Sequence, residues 1–142
     1  MGRRMQTPAR QTLLEVRLSA RVDAISPAVD RIMTHLRTRV LTKENAFAIE
    51  TALREALANA VLHGCKGDST KQIHCEVGWK EDGGIEILVR DPGKGFDPSS
   101  ISDPLNHENL TADHGRGIYL IRHLMDEVEH ADGGREIRMR KS

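Results

Sequence analysis

Two Asp-Gly-Gly tripeptides, Asp82-Gly83-Gly84 and Asp132-Gly133-Gly134, each separate two short runs of alternating apolar and polar residues. No other feature of the chain constrains its fold as much. A link this short leaves no room for a crossover helix, so the flanking strands must run antiparallel. Before the first link, Ile73, Cys75, Val77 and Trp79 alternate with Gln72, His74 and Glu76; after it, Ile85, Ile87 and Val89 alternate with Glu86 and Leu88. The second link joins strands expected at 128–131 and 136–140, with Ile137 and Met139 facing inward. Another strand, over about 12–18, alternates Leu14, Val16 and Leu18 with Glu15 and Arg17.

Three segments carry a helical period instead. Ile25, Val29, Ile32, Leu36 and Val40 predict a helix over about 24–40, with Ser26-Pro27 as cap and first turn. Thr42 can cap a second helix, whose stripe is Ala46, Ile49, Leu53, Leu57 and Ala60 and which Gly64 ends. Ile118, Ile121, Leu124 and Met125 mark a third. The order strand, helix, helix, strand, strand, helix, strand, strand predicts an α+β fold, a two-layer α/β sandwich. Its sheet is expected to be mixed but mostly antiparallel, with three main helices on one face. A chain of 142 residues has room for one domain, read as 12–142 behind a basic, disordered tail over 1–11.

Charge and composition narrow the function. Lys plus Arg and Asp plus Glu each total 21, so no global field favours nucleic acid or acidic lipid. Only Phe47, Trp79, Phe96 and Tyr119 are aromatic, too few for a base-stacking surface. No apolar run approaches the roughly 18 residues of a membrane span, and no secretory signal is visible, so the expectation is a soluble cytoplasmic protein with Cys65 and Cys75 reduced. His63, Cys65, His74 and Cys75 invite a zinc reading, but His74 and Cys75 are neighbours on a strand and point to opposite faces. Ser69, Ser99 and Ser100 lack a nucleophile-elbow context.

Three other segments can carry chemistry. Glu55 and Asn59, four residues apart, share one helix face among Ala48, Ala52, Ala56, Ala58 and Leu62. That pair either lines a cleft or belongs to an ordinary helix surface. Asp91-Pro92-Gly93-Lys94-Gly95-Phe96 follows a strand; it is either a plain turn or a loop whose glycines admit a ligand while Asp91 accepts from an exocyclic amine such as adenine's. Asp113-His114-Gly115-Arg116-Gly117 opens the third helix, where free N–H groups could hold phosphate. Neither a Rossmann fingerprint nor a P-loop is present. Residues 97–114 form a long stretch of low periodicity, as expected of a lid.

In order and spacing these segments resemble the GHKL superfamily of ATPases and kinases, which use the Bergerat nucleotide-binding fold. Glu55-Ala-Leu-Ala-Asn59-Ala-Val-Leu-His63-Gly64 is similar to the N-box of the bacterial anti-sigma-factor serine/threonine kinases, and the resemblance covers roughly residues 12–140. It implies ATP and Mg2+ as ligands, with Asn59 on the metal. Asp91 would read the adenine amine, Gly93, Gly95 and Phe96 would shape its pocket, and Gly115, Arg116 and Gly117 would face the phosphates under the 97–114 lid. Glu55 would be the general base, a sensible role for a carboxylate near an attacking serine hydroxyl. The implied function is a serine/threonine kinase that phosphorylates a STAS-type anti-anti-sigma antagonist and sequesters a sigma factor, acting as a homodimer. The alternatives are a nucleotide-gated switch with little phosphotransfer and a related kinase of a stress-signalling pathway.

Overall fold

A computed structural model of the protein describes residues 10–38, 41–93 and 113–142. The strands are β1 (Arg10–Ser19), β2 (Gln72–Lys80), β3 (Ile85–Arg90), β4 (Glu127–Ala131) and β5 (Glu136–Lys141), and the helices are α1 (Ile25–Leu36), α2 (Lys43–Asn59) and α3 (Asp113–Leu124). The strands form one sheet in the order β1-β2-β3-β5-β4. Every pairing is antiparallel, so the described sheet contains none of the parallel pairs that a mixed sheet would need.

Register explains the core. Val16, Cys75, Val89 and Ile137 lie in one row across four strands, and Val77, Ile87 and Met139 lie in the next. All seven are buried. Between these rows lie Glu15, Glu76, Leu88 and Arg138, and on the other side of Ile137 one acidic residue is enclosed: Glu136 is buried between Arg90 Nη1 at 3.1 Å and Arg138 Nε at 2.7 Å. The second hairpin needs its glycines, because Asp132, Gly133 and Gly134 take φ of 55°, 65° and 87° in succession. Glycine enters that left-handed region freely, and Asp tolerates it.

α2 lies over β3 and β5 and touches both α1 and α3. Its stripe residues Ile49, Leu53 and Leu57 are fully buried, each contributing about 1.5–3 kcal/mol. Thr42 caps this helix as the sequence predicts, its hydroxyl accepting from Asn45 N–H at 3.0 Å. α1 starts within a residue of expectation, at Ile25, but differs in its cap and in where it ends. Its N-cap is Ala24, the last residue of a 3-10 turn over Val22–Ala24, and it stops at Leu36. Pro27 sits in the first turn, where a missing N–H leaves no bond unmade, while Ser26 accepts from Arg54 Nη1 at 3.0 Å. The tail expected over 1–11 gives up Arg10 and Gln11 to β1, where they pair with Lys80 and Trp79. The lid range likewise gives up Asp113 and His114 to α3; its remainder, 97–112, lies outside the described residues.

Candidate active site

The polar end of α2 does not stop at Gly64 as a regular helix. After Asn59 the backbone widens into a π turn over Ala60–Gly64, in which Cys65 N–H donates to Ala60 O at 2.8 Å. Such turns are frequent at functional sites. This one swings Gly64 against the end of β3, where Asp91 begins a tight turn.

Two glycines make that junction possible. A Cβ on Gly64 would lie 2.7 Å from Asp91 Oδ1, and one on Gly93 would lie 2.6 Å from the carbonyl carbon of Gly64. Any side chain at either position would force the segments apart. Asp91 itself is buried. Its Oδ1 accepts from Gly93 N–H at 2.8 Å, and its own N–H donates to Arg135 O at 2.9 Å. Burial pushes the Asp91 carboxyl above its ordinary value; the Gly93 N–H and the positive charges of Arg135, Lys71 and Arg90 oppose this without cancelling it.

At the other end of the site, α3 crosses α2 at Gly117. A Cβ there would stand 2.9 Å from Glu55 Oε1 and 3.3 Å from Asn59 Nδ2. Gly117 is the fifth residue of α3, beyond the helix mouth, and its lack of a side chain leaves room for the Glu55 carboxylate and the Asn59 amide beside it. Between the two ends lies a cleft with a cavity volume of about 150 Å³. Ala56, Ala60, Val89, Ile118 and Ile137 give it apolar walls, and Asn59, His63, Asp91, His130 and Arg135 supply polar groups. A flat apolar ring bearing an amine suits such a lining, with Asp91 as the acceptor.

Of the site residues expected from the sequence, Glu55, Asn59 and Gly117 meet at one end and Asp91 and Gly93 at the other. Asn59 and Asp91 line the same cleft. Gly115 and Arg116 lie in the first turn of α3. Gly95 and Phe96 lie outside the described residues. The zinc set does not gather: Cys75 is buried in the core row, whereas His74 lies on the outer face and bonds Glu76 Oε2 at 2.7 Å. Gly64, His130 and Arg135 also line the cleft without having been expected there, as does His63, which was weighed only as a zinc ligand. Gly64 and His63 were visible at the end of the N-box, but His130 and Arg135 come from the last hairpin and carry no motif. Burial, with Arg122 adding to it, holds the His130 ring below its ordinary value.

Residues 18–141 match the family model described as the histidine kinase-like ATPase domain. The chain is 27% identical to an anti-sigma F factor of Heyndrickxia coagulans over 141 residues, covering 92% of this chain and 83% of that protein. It is 34% identical over 100 residues to the serine-protein kinase RsbW of Bacillus licheniformis (66% and 62%). With an anti-sigma F factor of Priestia megaterium it shares 30% identity over 89 residues, 61% of this chain and 60% of that protein. The matched stretch thus spans less than two thirds of the last two relatives. In fold, it superimposes on the solved structure of the RsbU and RsbW domains of Rv1364c from Mycobacterium tuberculosis, with a TM-score of 0.64 at 19% identity, over 90% of this chain and 31% of that one. A histidine kinase domain from Erythrobacter litoralis gives a TM-score of 0.54 at 17% identity, over 86% and 59%. By its sequence from residue 18 onward, by its antiparallel sheet under three helices and by its cleft, the chain belongs to the histidine kinase-like ATPase domain family.

Proposed function

We propose that this chain is an ATP-dependent serine/threonine protein kinase of the anti-sigma-factor type. In this reading it phosphorylates a STAS-type antagonist protein, sequesters a sigma factor when that antagonist is modified, and works in the cytoplasm as a homodimer. The observation that carries the reading is the meeting of Glu55 and Asn59 against Gly117, with Asn59 and Asp91 lining one cleft. The names of the anti-sigma F and RsbW relatives support the substrate class and the partners. No helix among the described residues is long and apolar enough to cross a membrane.

Asp91 accepts from the adenine amine, while Gly64 and Gly93 keep the base against backbone. Asn59 offers an amide oxygen of the kind a hard cation takes, and magnesium needs few protein ligands because it keeps waters and binds phosphate oxygens. When bound, it neutralises charge on the phosphates. Glu55 takes the proton from the attacking serine hydroxyl as its oxygen bonds to the γ-phosphorus and ADP departs.

The test is Glu55→Gln. This variant should bind Mg·ATP as the wild type does and lose phosphotransfer to the antagonist, by about a hundredfold or more. Unchanged transfer would remove Glu55 as the base. A wild-type protein that binds ATP and its partner yet transfers no phosphate would establish a nucleotide-gated switch instead.

A further inference from the structure

In the turn formed by Asp91, Pro92 and Gly93, only Asp91 buries a side chain. Pro92 is exposed, and Gly93 meets the backbone of Gly64. Its orientation is fixed by hydrogen bonds. Within the turn, Gly93 N–H donates to Asp91 Oδ1 at 2.8 Å. Arg135, reached from the second hairpin, makes two more: its carbonyl accepts from Asp91 N–H at 2.9 Å, and its Nε–H donates to Gly93 O at 2.7 Å. Both ends of the turn are therefore clamped by one residue. The same guanidinium contacts Asp132 Oδ1 through Nη1 at 3.4 Å, which anchors it to its own hairpin, and Arg135 lines the cleft.

We propose that Arg135 is a positioning residue for nucleotide binding, holding the Asp91–Gly93 turn so that the Asp91 carboxylate meets the base amine. The inference rests on the reading of Asp91 as the adenine acceptor. The operative contact is the Nε–H bond to Gly93 O, because the carbonyl contact to Asp91 N–H is backbone and survives any substitution. Glutamine places its amide nitrogen at the same distance along the side chain as Nε, without the charge, so it separates the bond from the charge. Because the clamp acts at the base, its loss must affect ligands with and without phosphates alike.

Titration calorimetry with Mg·ATP and with adenosine on the wild type, Arg135→Met and Arg135→Gln tests this. Arg135→Met should weaken both ligands by about tenfold, the worth of one hydrogen bond, with the melting temperature of the free protein near that of the wild type. Arg135→Gln should bind both nearly as the wild type does. Wild-type affinity in Arg135→Met would overturn the proposal, as would a Gln variant as weak as Met, or a loss confined to Mg·ATP. If Arg135→Met does not fold, Arg135→Lys, which has a methylene at the Nε position, takes its place with the same expectations. A wild-type protein that binds neither ligand would instead overturn the reading of the whole cleft.

Discussion

Gly117 stands against Glu55 so closely that an added Cβ would come within 2.9 Å of Oε1. The place of the Glu55 carboxylate therefore depends on a hydrogen atom at residue 117 where every other residue has carbon. The atom in the way is the far end of a flexible side chain, so the fold can yield but the carboxylate cannot keep its place.

Gly117→Ala should consequently separate stability from activity. Alanine gains up to about 1 kcal/mol of helix propensity over glycine, which offsets the crowding, so the melting temperature should be unchanged or slightly higher. Phosphotransfer should fall, by up to about a hundredfold if Glu55 moves by an ångström. Scanning calorimetry and a phosphotransfer assay together check this; parallel losses in both would show a packing role alone.

Gly64→Ala should behave differently, because its neighbour cannot retreat. Asp91 is held by Gly93 and Arg135, and the new methyl would overlap its carboxylate. We expect a loss of about 1–3 kcal/mol in denaturant unfolding, together with weakened ATP binding. Wild-type stability would mean that the π turn shifts freely.

Asp91 should give stability and ligand affinity opposite pH dependences. Its folded value is raised above the ordinary 3.8, so between those two values the folded state binds more proton than the unfolded one. Through linkage, its contribution to stability is therefore greatest at the acid end of that window and is lost as pH rises through the folded value. Reading an amine requires the ionised carboxylate, so ATP affinity should instead fall as pH drops through the raised value. Calorimetric titration and thermal melts across pH 4 to 7 measure both slopes; Asp91→Asn should flatten the stability slope and weaken binding at every pH.

The two thiols should be silent in the native protein. Burial, with Glu76 adding to it, pushes Cys75 up to about 12, and burial followed by Asp91 raises Cys65. Since the thiolate is the reactive form, a disulfide reagent at pH 8 should label neither until denaturant opens the sheet. Rapid labelling of Cys75 would mean that the inner face of β2 is accessible.

Much of the fold was legible because its signals are local. The alternation around Asp82-Gly83-Gly84 and Asp132-Gly133-Gly134 gave antiparallel pairing, and Thr42 marked the start of α2 within one turn. The cap of α1 was not legible, because Ser26-Pro27 suits a first turn as well as a cap, and here the 3-10 turn before it takes the cap position. The π turn has no sequence signature, since Ala60–Gly64 carries residues that an ordinary helix also accepts.

Sequence alone determined an α+β architecture with two antiparallel hairpins and put Glu55 and Asn59 on one face of one helix, because both follow from side-chain periods of two and of nearly four residues. Tertiary structure decided what those residues meet. The packing of Gly117 on Glu55, the seat of Asp91 against Gly64, and the bond from Arg135 to Gly93 across 42 residues each join segments distant along the chain. Such contacts depend on where the sheet and helices bring backbone together, and no local pattern of residue types encodes that distance.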